Sequence, residues 1–407
     1  MKQFAIFLSL AVLLGSCDWF GNDEKPQSKD FDLKSLEMLS ATDRFGWDLL
    51  KTVNEESEAQ ENVVISSLSV AQALGMTTNG AGGATLDQML EVMDFGETDE
   101  MNDAFKNIRA VLHSADPKVE VEIANSVWYK EDLPAKDAFR SIVEDYYDAS
   151  FRGLDFTDKE GSKKIINDWV NKKTREKIPA IIEEIKDNQF MFLINAVYFL
   201  GKWQYQFDKA DTKDEPFHLS DGSEIQVPMM NQEADLDYYT GEDLRAVKLP
   251  YGKGSFYMLV ALPSGEMTAD SLVNQMDSQK WSAIVNEMQE QGIALSMPRF
   301  EIECKYKLNK PLQNMGMELP FAESGADFTN MIEEVPVCID EVLHKTYIKA
   351  DEEGTEAAAA TSVGMVITST DPGGPMPFNI DRPFLFAIAE EKSGAILFSG
   401  KIENPQE

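Results

Sequence analysis

Stretches that read as β-strand recur from residue 121 to residue 399, and no linker or repeat separates them. They fall at 121–129, 192–199, 256–262, 295–306, 341–350 and 384–399. Strands scattered so widely must find one another within a single domain, because nothing along the chain marks a boundary. Helical periodicity accompanies them through Phe45, Trp47 and Leu50, then through 69–74. Asn167-Asp168-Trp169-Val170 opens a further helix, which Pro179 interrupts. The chain reads as one α+β domain over 33–407, with hydrophobic types at 43% to fill its core.

Charge narrows the choice of partners. The 37 Lys and Arg face 71 Asp and Glu, a formal net charge of −34. Such a surface repels phosphate backbones and polyanionic polysaccharides, so no nucleic-acid partner is expected, and no Lys/Arg cluster reverses this locally. Excess charge also simply keeps a protein soluble.

The first residues carry an address. Lys2 precedes an apolar run from Phe4 to Leu14 that ends in Leu14-Gly15-Ser16-Cys17. A positive start, a short apolar stretch and small residues make an export signal too short to span a bilayer. An ordinary secretory signal would leave Cys17 as a chance neighbour. A Cys directly after the small residues also resembles the bacterial lipobox, which implies cleavage after residue 16 and acylation of Cys17, on its sulfur and its new amino terminus. Residues 17–32 then form a polar tether, and the expected location is exported and membrane-anchored, on the periplasmic or cell-surface side.

Cys304 alternates with Phe300, Ile302 and Tyr306, so it faces inward on a strand. It and Cys338 read as buried thiols, or as a disulfide in an oxidising compartment. Neither has metal-ligand spacing to another Cys or His, and no metal or cofactor is expected.

One segment disagrees with itself. From Gly354 to Ser369, alternate residues Thr355, Ala357, Ala359, Thr361, Val363 and Met365 form an uncharged, increasingly apolar row, as in a strand with one buried face. Ala357-Ala358-Ala359-Ala360 favours helix instead, and the segment runs into Asp371-Pro372-Gly373-Gly374-Pro375-Met376-Pro377, a turn-rich stretch. A segment with two conformations would look like this, and so would a plain surface loop.

Here the residues resemble a known family, the serpins. Glu352-Glu353-Gly354-Thr355-Glu356 followed by Ala357, Ala358, Ala359 and Ala360 looks like the hinge of the serpin reactive loop. Asn62 through Ser69 resembles a second family motif, with Ser67 in place of its usual proline. Asn167–Val170 with Lys177-Ile178-Pro179, Leu193–Phe199 with Gly201-Lys202-Trp203, Phe378-Asn379 with Pro383–Phe386, and Gly400–Pro405 follow in family order. The resemblance implies three β-sheets, about nine helices and an exposed loop over about 352–377. It implies a suicide-type inhibitor: a serine protease attacks the loop, forms an acyl-enzyme, and is trapped when the loop enters the main sheet. It places Ser66, Ser69, Asn195 and His344 in the shutter, where strands part, and Trp203 in the breach, where insertion begins.

The residues agree with that mechanism. A strand entering a packed sheet needs small or apolar inner side chains and no proline, and Thr355 to Ile367 meets both demands. Gly354 permits a reversal at the start, with Thr355 exposed beside it until insertion. The family spacing counted forward from Glu352 puts the scissile bond at Thr368–Ser369. Counted back from Phe378-Asn379 it falls about two residues later, at Thr370. Met365, Val366 and Ile367 are the other candidates. No Lys or Arg lies between Glu356 and Asp371, which disfavours trypsin-like targets and leaves elastase-like, subtilisin-like or papain-like proteases.

An enzyme reading finds little footing. The histidines are His113, His218 and His344, and no G-x-S-x-G, H-E-x-x-H or P-loop pattern occurs. A non-inhibitory serpin, acting as a binding or folding-helper protein, is the alternative to a monomeric inhibitor.

Overall fold

Asp32 starts the first helix: its carboxylate accepts the Ser35 amide at 2.7 Å, capping α1 (Leu33–Glu56). The computed structural model describes residues 30–58, 60–133, 135–332, 335–355 and 374–406. Along α1, Met38, Leu39, Thr42, Phe45, Leu49 and Val53 recur at helical spacing and are buried. Then come β1 (Val63–Ile65), α2 (Ser67–Thr78), α3 (Gly83–Met93) and α4 (Thr98–Ser114). Next are β2 (Val119–Lys130), α5 (Asp137–Tyr147), β3 (Ser150–Leu154), α6 (Lys159–Lys173) and β4 (Met191–Lys202). The middle holds β5 (Lys213–His218), β6 (Glu224–Thr240), β7 (Leu244–Tyr251), β8 (Phe256–Pro263), α7 (Ala269–Gln275) and α8 (Ser278–Glu287). The chain continues through β9 (Gln289–Pro298), β10 (Phe300–Lys307), α9 (Asn309–Asn314), β11 (Leu343–Asp351) and β12 (Gly354–Thr355). It closes with β13 (Met376–Asn379), β14 (Phe384–Glu390) and β15 (Ile396–Ile402).

A six-stranded sheet runs β10-β11-β12-β4-β2-β3. The other strands form a nine-stranded array, β1-β15-β14-β8-β7-β6-β9-β13, with β5 also on β6. The long strand β6 is shared within it: its start pairs with β5, its middle with β9 and its end with β7. Two sheets thus meet on β6, and with the six-stranded one they make up the three expected. Nine α-helices lie among the described residues.

Several sequence readings shift. The run 295–306 is two strands in different sheets, because the chain crosses over at Pro298-Arg299, where the Arg299 amide bonds Pro228 O at 2.9 Å. The run 384–399 is likewise two strands, β14 and β15, joined by a turn in which Glu390 accepts the amides of Lys392 and Ser393. Asn167 does not open a helix: α6 begins eight residues earlier, where Asp158 accepts the Gly161 amide at 3.1 Å, and ends before Pro179. Cys304 is buried on β10 as its alternation indicates, Cys338 is half-buried, and both thiols are free. Among the described residues no helix is long and apolar enough to cross a membrane.

Candidate functional site

The six-stranded sheet is divided at its centre. Among the described residues, β4 and β11 are joined only through β12, whose Gly354 and Thr355 pair with Asp351 and Ala350 on one side and with Lys202 and Gly201 on the other. Just below Thr355 lies a cavity of about 10 Å³, between Val197 and Phe199 of β4, Ile348 of β11, and Thr174 and Ile178 above the sheet.

At the top of this boundary, Trp203 does three things. Its indole N–H donates to Asp351 O at 2.8 Å, its amide donates to Glu353 O at 2.9 Å, and its ring stacks on Tyr251 with centroids 4.5 Å apart. The Tyr251 and Thr355 hydroxyls share a hydrogen bond of 2.6 Å, and burial pushes the phenol well above its ordinary pKa. Glu352 is buried; its carboxylate accepts from Thr212 at 2.8 Å and lies 3.7 Å from the Arg299 guanidinium. Glu353 is held below the usual carboxylate range by its bond to Lys209, at 2.6 Å. Gly354, at φ 151°, could be no other residue: an added Cβ would lie 2.1 Å from Gly201 O.

Thr355 therefore corrects the sequence reading. It is only 3% exposed, already part of the sheet and bonded to Tyr251. The hinge residues Glu356, Ala357, Ala358, Ala359 and Ala360, the bond candidates Met365, Val366, Ile367, Thr368, Ser369 and Thr370, and Cys17 lie outside the described residues.

Lower down, Ser66, Ser69, Asn195 and His344 converge. The Ser66 amide donates to His344 Nε2 at 3.0 Å, and its hydroxyl donates to Leu397 O at 2.7 Å. The same hydroxyl accepts the Ser69 amide at 3.4 Å, so Ser66 also caps α2. Ser69 Oγ donates to Asn195 Oδ1 at 2.5 Å. Because Nε2 is an acceptor, the imidazole is neutral with its proton on Nδ1, and burial pushes its pKa down to about 4. Ser67 occupies the first position of α2, where proline is also well accommodated.

The network extends past the sequence-identified residues. Asn195 Nδ2 donates to Asn125 Oδ1 at 2.7 Å, and Asn125 Nδ2 donates to Tyr147 O at 2.7 Å and to Gln72 Oε1 at 3.4 Å. The Tyr147 hydroxyl then donates to Asn102 at 2.9 Å. Asn125, Gln72, Tyr147 and Tyr251 were not picked out from sequence. Their partners are distant along the chain, and their neighbours look like ordinary core.

A β-sheet held at its centre by exchangeable polar bonds, with a strand of two residues engaged between β4 and β11, is the observation that the comparisons complete. The sequence model of the family described as Serpin (serine protease inhibitor) matches residues 40–405. The chain belongs to the serpin family. It is 34% identical to Serpin-Z2A of Triticum aestivum over 379 residues, which is 89% of this chain and 95% of that one. It is 30% identical to an uncharacterized serpin-like protein of Thermococcus kodakarensis, across 91% of this chain and 86% of that one. Among solved structures, the thermophilic serpin tengpin in its native state superposes with a TM-score of 0.83 at 30% identity, covering 93% of this chain and 96% of that one. Human thyroxine-binding globulin superposes with a TM-score of 0.84 at 26% identity, covering 92% and 100%. Serpins are mostly protease inhibitors, not enzymes, and the fold also serves thyroxine-binding globulin. Among the described residues no group of three or more His, Cys, Asp or Glu could hold a metal ion.

Proposed function

We propose that this serpin inhibits serine proteases of the elastase-like or subtilisin-like kind, with papain-like cysteine proteases as a further class. The protease nucleophile attacks a carbonyl within 365–370, its proton passes to the leaving amine, which departs with the C-terminal part of the loop, and an acyl-enzyme remains, an ester on serine or a thioester on cysteine. The freed N-terminal part of the loop then enters between β4 and β11 before water can cleave the ester. One observation carries this reading: β12 already pairs on both sides of that boundary, at the start of the uncharged row Thr355, Ala357, Ala359, Thr361, Val363 and Met365. The polar contacts around Ser66, Asn195 and His344 support it, since such groups can exchange partners without leaving buried atoms unpaired.

The test is a denaturing gel after incubation with an elastase-like, a subtilisin-like and a trypsin-like protease. A covalent complex is expected with the first two and little with the third. An arginine at Thr355 would break the bond to Tyr251 in the uncleaved fold, so the mechanistic variant belongs further along the row. Ala359→Arg is expected to shift the outcome from trapped to merely cleaved by about tenfold or more, because an unpaired guanidinium must be buried on insertion. Absence of any covalent complex, with the loop cleaved, would favour the binding-protein reading that the thyroxine-binding globulin likeness raises.

We further propose that the protein is exported and held on a membrane through acylated Cys17. Incorporation of labelled palmitate, abolished in Cys17→Ala, tests this.

A further inference from the structure

Where α1 enters the fold, most of its side chains are tied down. Phe31 packs against the main core, and Asp32 caps the helix. The Lys34 ammonium pairs with Glu100 of α4 at 2.7 Å, and the buried Ser35 donates its hydroxyl to Asn107 of α4 at 2.9 Å. Just ahead of the helix, Asp30 lies 3.7 Å from Lys392, in the turn between β14 and β15. The root of the domain is thus fixed on two sides.

A helix packed on a core should keep its outer face polar, and Glu37, Ser40, Arg44 and Asp48 of α1 are exposed as that rule expects. Leu33 and Leu36 break it. They are 71% and 40% exposed, and among the described residues they are the large hydrophobic side chains that stand exposed. Three residues apart on a helix, they share one face. The cap and the contacts with α4 hold this turn in place without them.

The chain ahead of them says what they meet. Sixteen residues separate Cys17 from Leu33, so even a fully extended chain keeps Leu33 within about 55 Å of an acyl group on Cys17. A domain of this size is itself about 50 Å across. The root is therefore the surface that an anchor brings nearest to lipid, and a contact made there is effectively intramolecular, so a small apolar area suffices. Charge selects the lipid. Glu37 is exposed beside the leucines, and Asp32 and Asp103 lie near enough to act on the Lys34 charge, so anionic headgroups would be repelled.

We propose that the first turn of α1 docks on a zwitterionic bilayer, with Leu33 and Leu36 in its interface, and gives the anchored protein one preferred orientation. The setting rests on the anchoring reading above, while the contact itself can be measured without it.

The experiment is hydrogen exchange over 33–40 for the chain 17–407 on phosphatidylcholine vesicles. It is run once with the native acyl chains and once with a histidine tag on nickel-chelating lipid in their place. Vesicle-bound wild type is expected to exchange about tenfold more slowly there than the tagged chain free in solution, with 224–230 of β6 unchanged. Leu33→Gln/Leu36→Gln should lose the difference and keep its fold, since both side chains are exposed and glutamine suits a helix. Replacing about a third of the lipid with phosphatidylglycerol should weaken the protection. Equal exchange on vesicles and in solution overturns the docking, and so does protection that survives the double substitution or grows on anionic lipid. Protection of the tagged chain, in a protein that takes up no labelled palmitate, leaves the docking standing and removes the anchoring reading. An acylated protein with 33–40 unprotected does the reverse.

Discussion

The two sheet systems of this protein are held together in opposite ways. In the nine-stranded array, β8, β14 and β15 are buried along their whole lengths, unbroken ladders join β7 to β8 and β8 to β14, and β14 pairs with β15 along its length with one register shift at Ile388/Ala389. In the six-stranded sheet, β11 alternates between buried and half-exposed, and its link to β4 is a two-residue strand plus polar side chains. Apolar packing is non-directional and costs a great deal to open, whereas a hydrogen bond can be traded for another at little net cost. One region is built to stay as it is. The other has the composition of a place where the fold can change.

The comparison would break most visibly if cutting the loop weakened the protein. Cleavage within 365–370 is expected to raise the thermal transition by about 10 °C or more, as new ladder bonds and apolar burial are gained in the six-stranded sheet. Calorimetry before and after limited proteolysis decides it; an unchanged or lower transition would show that the sheet accepts no strand.

Paired truncations sharpen the same contrast. Phe386 of β14 is fully buried against Phe300, and Phe386→Ala should cost about 3–5 kcal/mol in urea unfolding. Phe192 of β4 is half-buried, with Phe156 at 5.7 Å between centroids, and Phe192→Ala should cost about half as much. Equal losses would mean that the sheets are equally rigid.

A third effect is confined to the polar region. His344 has its pKa pushed down by burial, to about 4 from an ordinary 6.5. A base with a depressed folded pKa leaves stability intact above 6.5 and erodes it as pH falls towards 4, by roughly 3 kcal/mol in all. Asp43, raised by burial to about 8, acts in the opposite sense and costs stability as pH rises from about 4. The difference between wild type and His344→Asn isolates the histidine: it should slope between pH 6.5 and 4 and be flat above 7. A flat difference throughout would show that the imidazole is not held neutral.

The smallest effect is expected at Ser67, whose hydroxyl only reaches Ile396 O at 3.3 Å. Ser67→Pro should change stability by no more than about 0.5 kcal/mol, because proline suits the first helical position.

Strands β2, β4, β8 and β11 were legible in the sequence, because a strand with one or two buried faces writes its burial directly into residue order. The boundaries inside 295–306 and 384–399 had a visible signal, Pro298 in one and Glu391-Lys392-Ser393-Gly394 in the other. Helix α4 was not picked out, although Met101, Phe105, Ile108 and Leu112 keep helical spacing. What the sequence could not disclose was pairing. Tyr251 looks like any buried aromatic until its hydroxyl is found against Thr355, and Glu352 looks exposed until Thr212 and Arg299 surround it. The resemblance supplied Ser66, Ser69, Asn195, His344 and Trp203, and local chemistry alone would have left them as satisfied core residues.

The pairing of Gly354 and Thr355 has a kinetic meaning. Bringing a distant segment of chain beside a sheet is the costly step in forming a new strand, because conformational freedom is lost before contacts are gained. Here that closure is complete before any bond is cut, with both residues already in register on two neighbours. A strand growing from this point would need no nucleation event, only elongation one residue at a time. Its duration would then scale with the length of the row it adds, and shortening the loop would bring the end of the race nearer without altering its start.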